Sequence, residues 1–429
     1  MNNTEKNAEL LERRYRLIGK KAPLFYDQPI HIVKGEGVWL HDADGKRYLD
    51  VYNNVPNVGH CHPHVVEAIS KQAAQLNIHT RYLHENILNY GEKLTGLLDE
   101  SLSMLFLTCT GSEANEVALR MARHHTGKQG IICSNATYHG NTTAVDALAT
   151  LFNDGKPNGP YVKAVDFPDS YRPLNGLSGD ALTDAYMQQI KDTIAAFNEE
   201  GTGFAGMLIC PIFANEGLPD LPPNYLQKAA ALVREAGGLV IFDEVQSSFG
   251  RTGKMWGHQH SGVTPDILTL GKPMGNGHPL AGAICSPELG NAYREDVMYF
   301  NTFGGNPVSC AAGLAVLEVI EQENLVANSL QVGQYIKAGL QKLAATQALI
   351  GDVRGSGLFF GIELVLDQQS KTPATAEAAR ISNIMKEQGV LISKIGRHDN
   401  ILKMRPPICF SQEHADILLS NLAQAFAKL

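Results

Sequence analysis

The sequence predicts an α/β fold: a mainly parallel sheet covered by helices on both faces, followed by a smaller α+β unit. From about 63 to 330, short apolar runs alternate with helical stretches, the pattern of strands joined through crossover helices. After about 325 the rhythm shifts to helix, strand, helix, strand and a closing helix. A third observation locates the working edge of the sheet. The apolar run from Gly238 to Phe242 ends in Asp243, and the run from Asp266 to Leu270 ends just before Lys272. Two buried strands would thus bring a carboxylate and an amine to one edge.

Taken in order, residues 5 to 20 read as a charged amphipathic helix. Val38-Trp39-Leu40 and Tyr48-Leu49-Asp50 flank Asp42-Ala43-Asp44-Gly45, which predicts a hairpin closed by an Asp-x-Asp-Gly turn. The strands expected in the large sheet are Met104–Thr108, Gly130–Ser134, Met207–Pro211, Leu239–Asp243, Ile267–Leu270 and Ala281–Cys285. The stretch 153–180, rich in Gly, Pro, Asp and Asn, reads as a long surface excursion. Beyond it, helices are expected over 326–346, 375–388 and 412–428, with strands at Gly357–Val365 and Val390–Ser393. Three units follow: a segment 1–60 that joins the small domain, a large domain over 61–325, and a small C-terminal domain over 326–429. No internal repeat is present.

The 429 residues, 44% hydrophobic and 19% charged, suit a globular enzyme of one large and one smaller domain. A net charge of -8 offers no footprint for nucleic acid. No apolar stretch approaches the roughly 18 residues of a membrane span, and the polar N-terminus lacks a signal-peptide core. Seven scattered cysteines look like reduced thiols rather than a disulfide framework. A soluble cytoplasmic protein is expected.

Four motifs carry chemistry. In Thr108-Cys109-Thr110-Gly111-Ser112-Glu113-Ala114-Asn115 a strand turns into a helix, whose free N–H groups suit a phosphate; a simple serine cap is the plainer alternative. Tyr138, in Tyr-His-Gly, could stack on a flat heteroaromatic ring or merely pack. Asp243, after three apolar residues, would be pushed up by poor solvation unless a cation faces it; a protonated pyridine or an arginine would serve. Lys272, between glycines at a strand end, could be desolvated and reactive or lie on the surface. Together they fit pyridoxal phosphate, which needs a lysine to hold its aldehyde and an acid to keep its ring nitrogen protonated. His60-Cys61-His62-Pro63-His64 resembles a metal cluster, but no partner cluster accompanies it, so no metal is expected.

In this order the motifs resemble the class III aminotransferase family of fold type I pyridoxal phosphate enzymes, from about residue 25 to the C-terminus. The matching pieces include Gly-His-Cys-His-Pro at 59–63, Gly-Ser-Glu-Ala-Asn at 111–115, Phe-Asp-Glu-Val-Gln at 242–246 and Thr-Phe-Gly-Gly-Asn-Pro at 302–307. The resemblance implies a seven-stranded large domain. It also implies that Lys272 holds the cofactor's aldehyde, that Asp243 pairs with its ring nitrogen and that Gln246 approaches its hydroxyl. Tyr138 and Val245 would enclose the ring. Gly111 and Ser112 would hold the phosphate, with Thr302 reaching across from a second subunit of a homodimer or a tetramer of dimers.

The chain departs from members that use 2-oxoglutarate. Their Glu-Pro acid and its C-terminal arginine are matched here by Cys210, before Pro211, and Lys403. Lysine cannot make arginine's two-pronged bond to a carboxylate. The segment Asn53-Asn54-Val55-Pro56 with Thr80-Arg81-Tyr82, and Leu402-Lys403-Met404-Arg405-Pro406-Pro407, are similar to ethanolamine-phosphate phospho-lyases and to lyases acting on aminoethylphosphonates. That similarity implies a small primary amine bearing phosphate or phosphonate, with Asn54, Arg81, Lys403 and Arg405 as candidate substrate ligands. The expected reaction eliminates ammonia together with phosphate or water, from phosphoethanolamine or 1-hydroxy-2-aminoethylphosphonate, to give an aldehyde. The alternative is an ω-aminotransferase that passes the amino group to a keto acid such as pyruvate.

Overall fold

The structure is a computed structural model and describes residues 3–429. A helix over Asn3–Leu17 precedes an antiparallel meander of β1 (Ile32–Glu36), β2 (Trp39–Asp42) and β3 (Arg47–Asp50). Asp42 Oδ1 accepts the N–H groups of Asp44 and Lys46, which closes the expected Asp-x-Asp-Gly turn.

Seven strands form the large sheet: β4 (Met104–Thr108), β5 (Gly130–Ser134), β6 (Val162–Val165), β7 (Phe204–Ile209), β8 (Leu239–Asp243), β9 (Ile267–Leu270) and β10 (Ala281–Cys285). Their order is β4-β10-β9-β8-β7-β5-β6. Every neighbouring pair is parallel except those made by β10, which runs antiparallel to both β4 and β9. The apolar runs arise because both faces are covered. Ile241 enters one core cluster with Val117, Met121 and Ile131, while its neighbours Val240 and Phe242 enter the other. That is the two-residue alternation of a strand buried on both sides.

The expected surface excursion over 153–180 contains β6, a correction to the sequence reading. Its four residues, Val-Lys-Ala-Val, pair in parallel with β5 at the sheet edge. Their flanking Gly, Pro and Asn mask so short a signal.

The last third of the chain supplies β11 (Ile350–Ser356), β12 (Phe359–Leu364), β13 (Val390–Leu391), β14 (Ser393–Ile395) and β15 (Ile401–Met404). Four of them order as β11-β12-β15-β14, whereas β13 leaves that sheet and pairs in parallel with β3. Chain start and chain end therefore share a sheet. Helices over Leu325–Ala344, Thr375–Glu387 and Gln412–Ala427 belong to this region.

Candidate active site

β8 and β9 are parallel neighbours, with Asp243 opposite Thr269. Asp243 ends β8 and Lys272 stands two residues beyond β9, so one sheet edge presents both. They line a cleft of about 290 Å³ with Gly111, Ser112, Tyr138, Val245 and Gln246; His139, Gly140, Cys210 and Asn215 complete its wall.

At one end lies the start of the helix over Gly111–Thr126. Thr110 caps it by accepting the Glu113 N–H, and Glu113 reaches back to the N–H groups of Cys109 and Thr110. The first N–H groups of a helix have no partner within it, so those of Gly111 and Ser112 form an anion-binding end. Two glycines keep this end narrow. A Cβ on Gly111 would come within 2.8 Å of Val245 Cγ2. A Cβ on Gly140, at φ +141°, would come within 2.4 Å of Ser112 Oγ.

Asp243 is almost fully buried. Its Oδ2 accepts from His139 Nδ1 at 2.7 Å and from Asn115 Nδ2 at 3.0 Å, and its Oδ1 accepts the Val245 N–H at 2.9 Å. Burial pushes this acid up, but the bond and charge of His139, the Val245 N–H and the nearby Lys272 outweigh it and hold it below the usual range. An arginine is not among its partners in the described residues; histidine and asparagine take that place. Lys272 is exposed to the open cleft, although protein atoms crowd the base of its side chain. Burial, then the Arg405 charge, bring its amine down to about 8, partly opposed by Asp243.

Beneath the cleft, Lys403 on β15 and Arg405 just after it are both buried. Lys403 Nζ donates to Ala214 O at 2.9 Å and to Gln246 Oε1 at 3.2 Å. Arg405 donates to the same Gln246 oxygen through Nη1 and to Tyr52 O through Nε at 2.8 Å. Gln246 Nε2 in turn donates to Asn215 Oδ1, and Asn215 Nδ2 to Tyr138 O. Burial and mutual repulsion with Arg405 and Lys272 drive the Lys403 amine far down.

Three candidates lie elsewhere. Asn54 is buried on the loop whose Val51 and Tyr52 carbonyls accept from Arg405. Among the described residues its Nδ2 has no partner, and it does not line the cleft. Arg81 is exposed, with its guanidinium 3.7 Å above the Phe300 ring. Thr302 is exposed on the loop that carries Phe300. His60, His62 and His64 are spoken for by carboxylates: Asp50 at 2.7 Å, Glu323 at 2.9 Å and Glu318 at 2.6 Å.

Several contributors were not singled out from sequence. His139 stood beside Tyr138 with no role attached, although a histidine next to a ring-stacking candidate is a usable signal. Asn115, one turn into the helix after Gly111, points at the sheet edge and meets Asp243. Glu244, fully buried, accepts from the Gly257 and His258 N–H groups and from His258 Nδ1 at 2.6 Å. It pins the turn that carries Val245 and Gln246.

Residues 24–426 match the family aminotransferase class-III. The chain belongs to that family. Class III aminotransferases are pyridoxal phosphate enzymes, so this is an enzyme that uses that cofactor. Among solved structures it is similar to a phospholyase from Arthrobacter in complex with phosphoethanolamine, with 48% identity, a TM-score of 0.95, and coverage of 98% of this chain and 100% of that one. It is 40% identical to alanine–glyoxylate aminotransferase 2 homolog 2, mitochondrial, of Arabidopsis thaliana, over 98% of this chain and 87% of the relative. It is 37% identical to ethanolamine-phosphate phospho-lyase homolog 1 of Caenorhabditis elegans, over 95% and 90%. The cleft fits the cofactor on its own geometry. An open helix end with no room for an extra Cβ suits the phosphate, a buried ionised acid suits the ring nitrogen, and a lowered amine suits the aldehyde. No helix among the described residues is long and apolar enough to cross a membrane.

Proposed function

We propose that this enzyme is a lyase that eliminates ammonia, with phosphate or water, from a small primary amine bearing a phosphate or phosphonate group. The observation that carries this reading is the pair Lys403 and Arg405. Both are buried beneath the cleft and bonded to Gln246 in its wall, and neither has a carboxylate within ion-pair distance among the described residues; their bonds end on carbonyl and amide oxygens. Two buried basic groups with no carboxylate beside them do not both keep their charge, and burial with repulsion drives the Lys403 amine down; a phosphate-type dianion would let both carry charge and supplies what they lack. Cys210, whose thiol burial pushes far up, is neutral and offers no counter-charge.

When bound, the cofactor supplies an electron sink for the carbon that bears the amine. Asp243 keeps its charge for the ring nitrogen, and Gly111 and Ser112 anchor the phosphate. With its amine near 8, Lys272 Nζ is free to take the proton from that carbon. Lys403 and Arg405 hold the substrate's anionic oxygens. If those oxygens belong to a phosphate ester on the adjacent carbon, they leave as phosphate; if they belong to a phosphonate, a hydroxyl on that carbon leaves instead. Water then releases ammonia and an aldehyde, with no keto acid consumed.

The site is completed by a second copy. Arg81 and Thr302 are exposed and share the Phe300 neighbourhood, and around them Leu83 is 97% exposed, Met298 84% and Phe303 70%. Such apolar exposure calls for cover, and a homodimer would bring Thr302 and Arg81 to the partner's cleft. The seven free cysteines suit a reducing compartment such as the cytoplasm.

The test omits keto acid and offers phosphoethanolamine or racemic 1-hydroxy-2-aminoethylphosphonate while ammonia, aldehyde and phosphate are followed. Ammonia with turnover supports the lyase; phosphate from the first substrate separates phospho-lyase from ammonia-lyase. The name of the Arabidopsis relative favours a second reading, an aminotransferase. Stoichiometric loss of the visible band, restored by pyruvate or another keto acid and without ammonia, would establish that reading and sink the first.

A further inference from the structure

Asn215 lines the cleft, and its neighbour Glu216 lines a second cavity of about 320 Å³. Part of that second lining is already paired. Glu363, 2% exposed, accepts from Arg172 Nε at 2.7 Å and contacts Arg354, which also lies 4.0 Å from Asp169.

The remaining charges of the lining are uncommitted at both signs. Asp166 accepts from two side-chain amides, Asn135 Nδ2 and Gln189 Nε2, and Glu216 meets the Ser134 hydroxyl and the Asn215 N–H. Among the described residues neither acid has a cation within ion-pair distance; the arginine pairs of this lining go to Glu363 and Asp169. Arg397 and His398 also line the cavity, and among the described residues neither side chain has a hydrogen bond or a carboxylate beside it. Depth separates the two sets. Glu216 is 2% exposed and Asp166 is half-buried, whereas Arg397 and His398 are exposed at the rim.

We infer that this cavity is a second binding site, for a short molecule that carries one ammonium and one anionic group. The ammonium sits inward against Glu216 and Asp166, and the anion sits at the rim against Arg397 and His398. Burial pushes the Glu216 carboxyl up while no cation faces it, and an arriving ammonium lets it carry its charge. A lone cation or a lone anion satisfies one end only. Amino acids and aminoalkyl phosphates or phosphonates share this chemistry, so the site stands whichever reaction the cleft performs.

The experiment is titration calorimetry on holoenzyme reduced with borohydride, which fixes the cofactor and stops turnover. The probes are β-alanine, phosphoethanolamine, ethanolamine and inorganic phosphate. At least one of the first two should bind in Lys403→Met, whose cleft is impaired, and should bind about tenfold or more weakly in Arg397→Met and in Asp166→Asn. Arg397→Met removes no bond of the fold among the described residues, so it decides the matter if Asp166→Asn does not fold. Ethanolamine and phosphate should each bind about tenfold or more weakly than the better of the two. Binding lost in Lys403→Met but kept in Arg397→Met would place the probe in the cleft alone and overturn the inference while leaving the proposed reaction intact. No binding by β-alanine or phosphoethanolamine, or phosphate alone binding as tightly as either, would also overturn it.

Discussion

At the scale of single residues the cleft is governed by charges that lack ordinary partners. Lys272→Ala should abolish turnover and remove the visible band of lysine-bound cofactor; an unchanged spectrum would refute the cofactor site. Because only the neutral amine captures an aldehyde, the rate at which apoenzyme takes up pyridoxal phosphate should rise with pH and reach half its plateau near 8. The sign follows from burial lowering the amine, and a midpoint near 10.5, the value of an unperturbed lysine, would contradict it. Lys403→Met should lower kcat/KM for a phosphate-bearing amine by about 10- to 100-fold, the worth of a charge-assisted hydrogen bond, and spare an uncharged amine. The same change should raise the melting temperature, since an apolar side chain removes the desolvation cost that has already driven the amine down. Loss of stability instead would mean that its bonds to Ala214 and Gln246 outweigh that cost.

At the scale of elements, the helix start at Gly111 and the turn after β8 set the geometry. Gly140→Ala should weaken cofactor affinity by displacing Ser112, read as a higher Kd by titration, while Thr110→Ala should cost about 1 kcal/mol of stability in thermal unfolding. These elements were legible because strand-to-turn-to-helix signals are local: the runs ending at Asp243 and before Lys272 mark two adjacent strand ends. The pieces that escaped depend on contacts distant in sequence. β6 is four residues long and is held by pairing with β5 rather than by apolar pattern, and the strand expected at Val390–Ser393 divides between β13, paired with β3, and β14, paired with β15. His139, Asn115 and Glu244 are ordinary polar residues until folding places them beside Asp243 or its turn. Lys403 and Arg405 could be named from their motif, but their meeting at Gln246 needed the register of β15 against β12.

At the scale of the whole molecule, Arg81 and Thr302 lie outside the cleft of their own chain, and the surface around them is apolar. Sedimentation should therefore give at least a dimer, and Leu83→Asp with Met298→Asp should yield a monomer that binds the cofactor more weakly; a dimer that survives the double change would place the interface elsewhere. The position of β10 has a consequence for biosynthesis. β4 leads directly into the helix whose start forms the anion-binding end of the cleft, yet within the sheet its neighbour is β10, at residues 281–285. During translation β4 emerges from the ribosome long before the strand that docks it to the rest of the sheet. The nascent chain thus cannot complete the sheet around the cofactor pocket until about two-thirds of the polypeptide, through residue 285 of 429, has been made, and loading of the cofactor is a late event.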